Sequence, residues 1–320
     1  MRVIAALFLL LATPIWSMAQ NDSAVDLSDA TGFYRIDFEA NDSLLVPQMV
    51  FVDGTNESVS SGNLIRSVPI YSSSQSIIGS LHISQNRSSS NCSRPDQSVC
   101  LSPFSLSRFL AGLPDAANVS LTNCSTEIDE IDDLNCANSS RFQISNLASG
   151  MYTAYLIDEN ISKVLDAVPL MVTRGSIVLQ MSDKVLSDEP FIQVRMNTTE
   201  QGNSSKFFAA IMLSRSDYDN ISLSLSKNKS SESIDITLYL GNRSVNVPNP
   251  TQVSTEFLMN MLPLLPQNSA IGLQESTQSG VDLILLTDKP WNRGNYILTC
   301  GVYSPGVGLL GIKQSEVEVI

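Results

Sequence analysis

Apolar and polar residues alternate in short runs along much of this chain. Residues 221–225 and 234–240 carry an apolar side chain at every second position, and Gly, Asn, Asp and Ser separate such runs. A period of two residues is typical of β-strands that bury one face and expose the other. Many short strands with few helices predict an all-β fold of antiparallel, Ig-like β-sandwiches.

Two segments, 102–115 and 254–267, follow a helical period instead. Their apolar residues recur at positions i, i+3, i+4 and i+7, which places them on one side of a helix. These residues are Leu106, Phe109, Leu110 and Leu113 in the first segment and Leu258, Met261, Leu262 and Leu265 in the second. Each segment predicts one short helix, although Pro263 would disturb the last turn of the second.

The chain matches itself at four places, in the same order. The matching segments are 47–51 with 190–194, 70–88 with 212–230, 102–115 with 254–267, and 150–156 with 294–300. Self-similarity of this kind indicates a repeated domain. We therefore predict two tandem β-sandwich repeats, over residues 20–172 and 173–320, each with one of the short helices.

The N-terminus has the composition of a secretory signal peptide. Arg2 precedes an apolar run over residues 3–12, and Ser17, Met18 and Ala19 form a small-x-small cleavage site. The run is shorter than the roughly 20 apolar residues that cross a bilayer, and no later segment reaches that length. We predict a signal peptide over residues 1–19 and an extracellular or cell-surface chain without a transmembrane segment.

Charge narrows the choice of partner. The formal net charge is -13 and the isoelectric point is about 4.4. No cationic face is expected that could replace the counterions of a phosphate backbone, so we expect no nucleic-acid partner.

Asn-x-Ser/Thr triplets, the acceptors of N-glycosylation, are unusually frequent: 14 of the 23 asparagines begin one. They are Asn21, Asn41, Asn56, Asn86, Asn91, Asn118, Asn123, Asn138, Asn160, Asn197, Asn203, Asn220, Asn228 and Asn242. Their number predicts an N-glycosylated surface protein. The alternative is a Ser- and Asn-rich chain with accidental triplets.

Five cysteines in an exported chain suggest disulfides. Cys92 and Cys100 flank one short loop and Cys124 and Cys136 another, so we expect each to pair with its near neighbour. Four cysteines allow three connectivities, and free thiols are the other alternative. Cys300 lies on the apolar face of a predicted strand and is expected to be a buried, unreactive residue.

An acidic segment follows Cys124. It contains Glu127, Asp129, Glu130, Asp132 and Asp133, and clustered carboxylates can bind Ca²⁺. No glycine stands where an EF-hand loop needs its turn, so we favour a solvated acidic loop and expect no cofactor.

Catalytic residues are scarce. His82 is the chain's one histidine and lies between Leu81 and Ile83 on a predicted strand, with its side chain on the polar face. No nucleophile elbow, phosphate-binding glycine loop or zinc-protease motif occurs. The only tryptophan after the signal peptide, Trp291, is expected to pack near Gly294. We predict that the chain is not an enzyme.

The segments 207–225 and 150–172, with GNYILTCGVY at 294–303, carry a family resemblance. With them the chain resembles the repeated β-domains of extracellular proteins in methanogenic archaea, of the Methanosarcina and Methanothrix kind. The resemblance implies a cell-surface place and a repeated β-architecture, without a defined activity.

These observations favour a secreted, N-glycosylated protein with a structural or adhesive role in the cell envelope. Expected partners are other envelope proteins or the chain itself, with surface glycans as a further possibility. The alternative is a soluble extracellular module that binds carbohydrate or peptide. Exposed aromatics, such as Tyr218 or Tyr239, would support this alternative. A third reading, a carbohydrate-active enzyme with two acids, would need two carboxyl groups within about 10 Å of each other.

Overall fold

A computed structural model describes the parts of the chain that form the strands and their connections. The described residues are 34–40, 42–45, 48–52, 58–60, 67–83, 97–103, 123–124, 126–130, 139–158, 163–200, 204–227, 234–247, 265–266, 268–286, 290–304 and 307–320. The predicted signal peptide over residues 1–19 lies outside them. So do the predicted helices, except for residues 102–103, which form the end of a strand, and 265–266.

Strands make up most of the described chain and confirm the all-β fold class. Those in the N-terminal half are β1 (Tyr34–Phe38), β2 (Asp42–Leu45), β3 (Gln48–Val52), β4 (Ser58–Ser60), β5 (Ser67–Ser72), β6 (Ile77–Ile83), β7 (Gln97–Pro103), β8 (Asn123–Cys124), β9 (Thr126–Glu130), β10 (Ser139–Ile144), β11 (Gly150–Asp158) and β12 (Lys163–Thr173). Those in the C-terminal half are β13 (Ile177–Gln180), β14 (Lys184–Val185), β15 (Phe191–Thr198), β16 (Lys206–Ser214), β17 (Ile221–Lys227), β18 (Ile234–Leu240), β19 (Arg243–Val247), β20 (Ala270–Ser276), β21 (Gly280–Leu286), β22 (Gly294–Ser304) and β23 (Gly308–Val319).

The structure divides into two compact units that do not follow the chain in simple order. The first unit takes its described residues from Ser17–Asp42 and Val68–Val172. The second unit contains Thr173–Ile320 and also Ser43–Ser67, which we call the inserted arm. The predicted repeat limits of 20–172 and 173–320 stay a prediction. These limits place the arm in repeat 1, whereas the structure groups it with the second unit.

The first unit is a β-sandwich. One sheet has the strand order β1-β6-β10-β9, and another contains β5, β12, β11, β7 and β8 side by side. Side chains from both sheets meet in one core, among them Ile36, Phe142, Val99 and Leu156. Gly79 permits the close packing, because a Cβ there would lie 2.5 Å from the Phe142 ring.

The second unit contains a larger sandwich. Its sheet has the order β13-β15-β21-β20-β16-β22-β23-β14 and folds between β20 and β21, where Ile271 and Leu286 are the one paired position. Val194 on β15 and Leu283 on β21 share a core with Phe208 on β16 and Leu298 on β22. The fold therefore closes two strand layers over one apolar interior.

Each unit contains a tyrosine corner, in which a tyrosine hydroxyl bonds to the backbone a few residues upstream. Tyr152 Oη donates a hydrogen bond to the Ala148 carbonyl at 2.8 Å, and Tyr296 Oη donates one to the Asn292 carbonyl at 2.9 Å. Both tyrosines occupy the third position of a Gly-x-Tyr strand start. The sandwiches are thus Ig-like in this feature as well as in their layers.

One of the four self-matches corresponds to equivalent strands. Segment 150–156 lies on β11, between β12 and β7, and segment 294–300 lies on β22, between β23 and β16. The match of 70–88 with 212–230 is wrong as a structural equivalence. It pairs β6, which has antiparallel neighbours on both sides, with β17, which has an antiparallel neighbour in β18 and a parallel one in β3.

The match of 47–51 with 190–194 fails in the same way. It pairs β3 with β15, two strands that have unrelated neighbours. Short alternating runs resemble one another wherever one strand face is buried, so this pattern alone does not identify equivalent strands.

The described helix, α1 (Arg215–Asp219), was not predicted. Ser214 caps its start, since Ser214 Oγ accepts a hydrogen bond from the Asp217 amide at 3.0 Å. The Ser-x-x-Asp spacing is a capping-box signal, which the strand-like residues on both sides obscured. None of the described segments forms a helix long and apolar enough to span a membrane.

The disulfide in the described chain corrects the predicted near-neighbour pairing. Cys100 bonds to Cys124, with the two residues directly opposite each other on β7 and β8. Cys100 therefore does not pair with Cys92, nor Cys124 with Cys136. Cys92 and Cys136 themselves lie outside the described residues. Strand neighbourhood, rather than separation along the chain, brings the bonded pair together.

Cys300 is a free, fully buried thiol on β22. Burial in the apolar core raises the pKa of this thiol well above its ordinary value. A thiol held in its neutral form is a poor nucleophile, which agrees with the predicted packing role.

The tyrosine corner of the second unit is testable by Tyr296→Phe. The change removes one hydrogen bond and leaves the Asn292 carbonyl without that partner, so we expect a loss of about 1–2 kcal/mol in the free energy of unfolding. Urea unfolding followed by circular dichroism measures it.

Tyr303→Phe is the matched control on the same strand, since the Tyr303 hydroxyl has no hydrogen-bond partner in the described chain. Equal effects of the two substitutions would contradict the assigned role of Tyr296.

Candidate interaction surfaces

The second unit carries a five-stranded sheet assembled from two separate parts of the chain. Its order is β19-β18-β17-β3-β4. Along the chain, β17 to β19 follow β16 and precede β20 of the second unit's sandwich, whereas β3 and β4 come from the inserted arm. In this sheet β3 and β17 pair in parallel, from Gln48 opposite Ser222 to Val52 opposite Ser226.

The arm supplies hydrogen-bond partners that β17 would otherwise lack. On its other side β17 pairs with β18 along its whole length, from Ile221 opposite Leu240 to Lys227 opposite Ile234. Without β3, the second row of β17 backbone groups would form an open sheet edge, which is a template for another strand. The arm therefore acts by β-strand addition, a recognition mode that depends on main-chain hydrogen bonds.

A polar clamp fixes the beginning of the arm at Leu45. The Leu45 amide donates to Gln314 Oε1 at 2.8 Å, and Tyr218 Oη donates to the Leu45 carbonyl at 2.5 Å. Gln314 Nε2 in turn donates to Tyr218 Oη at 3.1 Å and to Thr299 Oγ1 at 2.9 Å. Both backbone groups of Leu45 are thus satisfied by side chains, and the neighbouring Leu44 is buried.

Tyr218 is buried in the clamp. Removal from water raises the pKa of its phenol from 10.0 to about 12. The hydrogen bond from Gln314 and the positive charge of Arg215 lower this pKa, and the carboxylate of Asp219 raises it by a smaller amount. The phenol therefore stays neutral and available as a donor to Leu45 throughout the physiological pH range.

Helix α1 positions Tyr218 for this contact. Its exposed side carries Arg215, which bonds Asp219 at 3.1 Å within the helix and Glu316 on β23 at 2.8 Å. Exposed ion pairs of this kind contribute little stability, typically below about 1 kcal/mol each. The pair with Glu316 joins the exposed side of the short helix to β23, while Tyr218 is buried.

A polar depression of about 830 Å³ lies elsewhere on the second unit. It is lined by the outer face of β15 and by the β20–β21 hairpin, with Arg195, Asn197, Gln274, Ser276, Gln278 and Asp282 among the lining residues. The Arg195 and Asp282 side chains approach to 4.0 Å and are half exposed. The lining offers both hydrogen-bond donors and acceptors, which suit a polar ligand better than an apolar one.

Four of the predicted glycosylation sites lie among the described residues: Asn123, Asn197, Asn220 and Asn242. Asn220 ends α1 and Asn242 lies in the two-residue turn between β18 and β19, and both are exposed. Asn197 is half-buried, next to the last residue of β15 and opposite Gly280. Outside the described residues are Asn21, Asn41, Asn56, Asn86, Asn91, Asn118, Asn138, Asn160, Asn203 and Asn228.

The acidic segment is a strand where it is described, so the predicted solvated loop is wrong for residues 126–130. Glu127, Asp129 and Glu130 lie on β9, which pairs with β10, whereas Asp132 and Asp133 fall outside the described residues. Within the described part of the chain, no three His, Cys, Asp or Glu residues come together as a metal site.

The aromatic residues have different roles from those expected of a binding face. Tyr218 is buried in the clamp and therefore gives the binding-module alternative no exposed aromatic, while Tyr239 on β18 is 39% exposed. Trp291 packs edge-on against Tyr296 with ring centroids 5.6 Å apart, near Gly294 as predicted. His82 lies on the middle strand β6, opposite Arg35 of β1 and Ser139 of β10.

Tyr218→Phe tests the clamp through its pH dependence. Because the folded-state pKa is raised, the stability from the neutral phenol is fully present below about pH 10 and is lost as pH rises towards about 12. The native chain should lose up to about 2–3 kcal/mol from this group over that range.

The Tyr218→Phe chain should lose correspondingly less, since the other buried tyrosines affect both chains equally. Urea unfolding at about pH 9 and about pH 11.5 compares them. Identical pH dependence in the two chains would show that Tyr218 is not held in the buried clamp.

Comparison with known proteins finds likeness of structure only. No family model matches the chain, and no curated protein matches it. Three similar solved structures are a BSP domain of a biofilm-associated protein (11% identity, TM-score 0.18), a β-glycosidase from Bacteroides vulgatus (10%, 0.22) and fibronectin(III)-like modules of Clostridium thermocellum CbhA (9%, 0.20). The matches cover 78%, 77% and 79% of this chain, and 28%, 23% and 89% of the respective other chains.

Proposed function

We propose that this chain is a secreted, N-glycosylated protein with a structural or adhesive role in the cell envelope. The observation that carries the proposal is the inserted arm. Because the arm belongs to the second unit while the residues on both sides of it belong to the first, the chain passes between the units three times. A diffusing enzyme or binding domain does not need such a connection, whereas a surface protein that is pulled by its neighbours does.

The physical advantage of the arm is resistance to separation. Two domains that are joined by one linker separate as soon as the linker extends. Here the arm must also leave β17, which requires the parallel ladder from Gln48 to Val52 and the Leu45 clamp to break together. Cooperative loss of many backbone hydrogen bonds is slower than extension of a flexible segment.

Several sequence features support the surface assignment. The predicted signal peptide directs the chain out of the cytoplasm, and a disulfide such as Cys100–Cys124 persists in oxidising surroundings. Exposed Asn220 and Asn242 stand where a glycan fits without repacking the fold. The resemblance to repeated β-domains of methanogen extracellular proteins supports the same place. We assign the chain no catalytic activity.

The partners in this proposal are other envelope proteins or further copies of the chain, with surface glycans as a second class. The excess of acidic residues makes nucleic acid an unfavourable partner.

Recovery of the protein from its native cells tests the proposal. We expect it in the envelope or extracellular fraction, with a mass above 34.8 kDa that falls on chemical deglycosylation. Mass spectrometry should find glycans at Asn220 and Asn242, and the Asn242→Gln chain should lose the second. An unmodified chain that keeps residues 1–19 and stays in the cytoplasm would refute the proposal.

The polar depression favours a second candidate, an extracellular module that binds carbohydrate or peptide. Arg195, Gln274 and Asp282 offer the donors and acceptors that a sugar or a peptide backbone needs. If this is the function, a glycan or peptide array gives a ligand whose affinity falls at least about tenfold in Arg195→Ala, which is about 1.4 kcal/mol.

Arg174→Ala is the matched control, an exposed arginine outside the lining of the depression. An array without ligands, or equal losses in the two variants, would eliminate this candidate.

A further inference from the structure

The inserted arm is held as a ligand would be held. It enters the second unit after Asp42 and leaves it before Val68, and within the unit it contributes β3 and β4 to the edge of the five-stranded sheet. The arm contributes only β3 and β4 to that sheet, where the two strands pair with each other and β3 also pairs with β17. Its place in the sheet is therefore that of an added edge hairpin.

The site that receives the arm is incomplete without it. An empty site would expose the second backbone edge of β17, and Gln314 and Tyr218 would lose their partners at Leu45. Open edges and unsatisfied buried polar groups are both costly, the latter by about 1–3 kcal/mol each. A vacant second unit would therefore bind the next arm that it meets.

A second copy of this chain carries an arm that fits. The β3–β17 ladder and the Leu45 clamp bind the backbone of the arm at fixed positions, and every copy of the chain has the same positions. Exchange of an identical element between protomers preserves all of its contacts and costs mainly the entropy of association. Connection of the arm to the first unit at both ends then links one copy to the next.

We propose that the inserted arm of one copy can occupy the β17 edge and the Leu45 clamp of a second copy, so that chains join by strand exchange. The inference rests on the envelope role proposed above and specifies its partner as the chain itself. An arm tethered in its own chain has an effective concentration in the millimolar range, so exchange requires crowding at a surface or release of the arm. The clamp and the β3–β17 ladder then join neighbouring copies.

Two chains, each with one cysteine added to the native five, test the exchange. Val50 lies opposite Ser224 in the β3–β17 register, so a Val50→Cys chain and a Ser224→Cys chain form a disulfide only if the arm of one copy reaches β17 of another. The full-length chains are mixed at high concentration in urea just below the unfolding midpoint, the urea is removed, and mild oxidation follows. Mass spectrometry then identifies the peptide that joins positions 50 and 224.

Thr237→Cys replaces Ser224→Cys in the matched control, because Thr237 lies on β18, one strand further from the arm. We expect about tenfold or more cross-linked heterodimer with Ser224→Cys than with Thr237→Cys, and an increase with concentration. Equal yields from the two pairs would overturn the exchange.

A double Val50→Cys, Ser224→Cys chain separates this result from the proposed function. It should cross-link within one chain at low concentration. If it does so while the mixed chains do not join, the exchange is wrong and the internal role of the arm remains. If the double chain also fails while its circular dichroism matches the native protein, the arm is not docked and both proposals lose their basis.

Discussion

The arrangement of this chain depends on the second edge of β17, which in the described sheet only the inserted arm pairs. An internal strand needs partners on both sides, and β17 finds its second partner in a segment more than 160 residues earlier in the chain. The ladder alone leaves the approach of that segment undefined, so Gln314 and Tyr218 bind the backbone of Leu45. Together they make the inserted arm a part of the second unit and give the units three chain connections instead of one.

The sandwiches themselves could be predicted from the sequence. Period-two alternation identifies strands wherever one face packs on a core, and Gly-x-Tyr marks the strands whose tyrosines form the corners at Tyr152 and Tyr296. The burial of Cys300 followed from the same reasoning. These features depend on the local pattern and on which strand face is buried, and residues that are neighbours in the sequence determine both.

The arm, the clamp and the disulfide could not be predicted in this way. Each depends on which strands become neighbours, and the alternating runs of β3, β6, β15 and β17 are too alike to show it. Cys100 meets Cys124 because β7 and β8 pair, although Cys92 is nearer in sequence. Gln314 and Leu45 are 269 residues apart, and neither residue type signals a contact on its own. A local signal existed only for α1, in the Ser214–Asp217 capping box.

Hydrogen–deuterium exchange on the native, full-length chain tests the central claim most directly. The β3 amides from Gln48 to Val52 should exchange as slowly as those of β18, since both strands pair with β17. Replacement of Gln314 by alanine should speed exchange in β3 more than in β18, because it releases the arm at Leu45. Exchange of β3 at the rate of an exposed loop in the native chain would contradict the account.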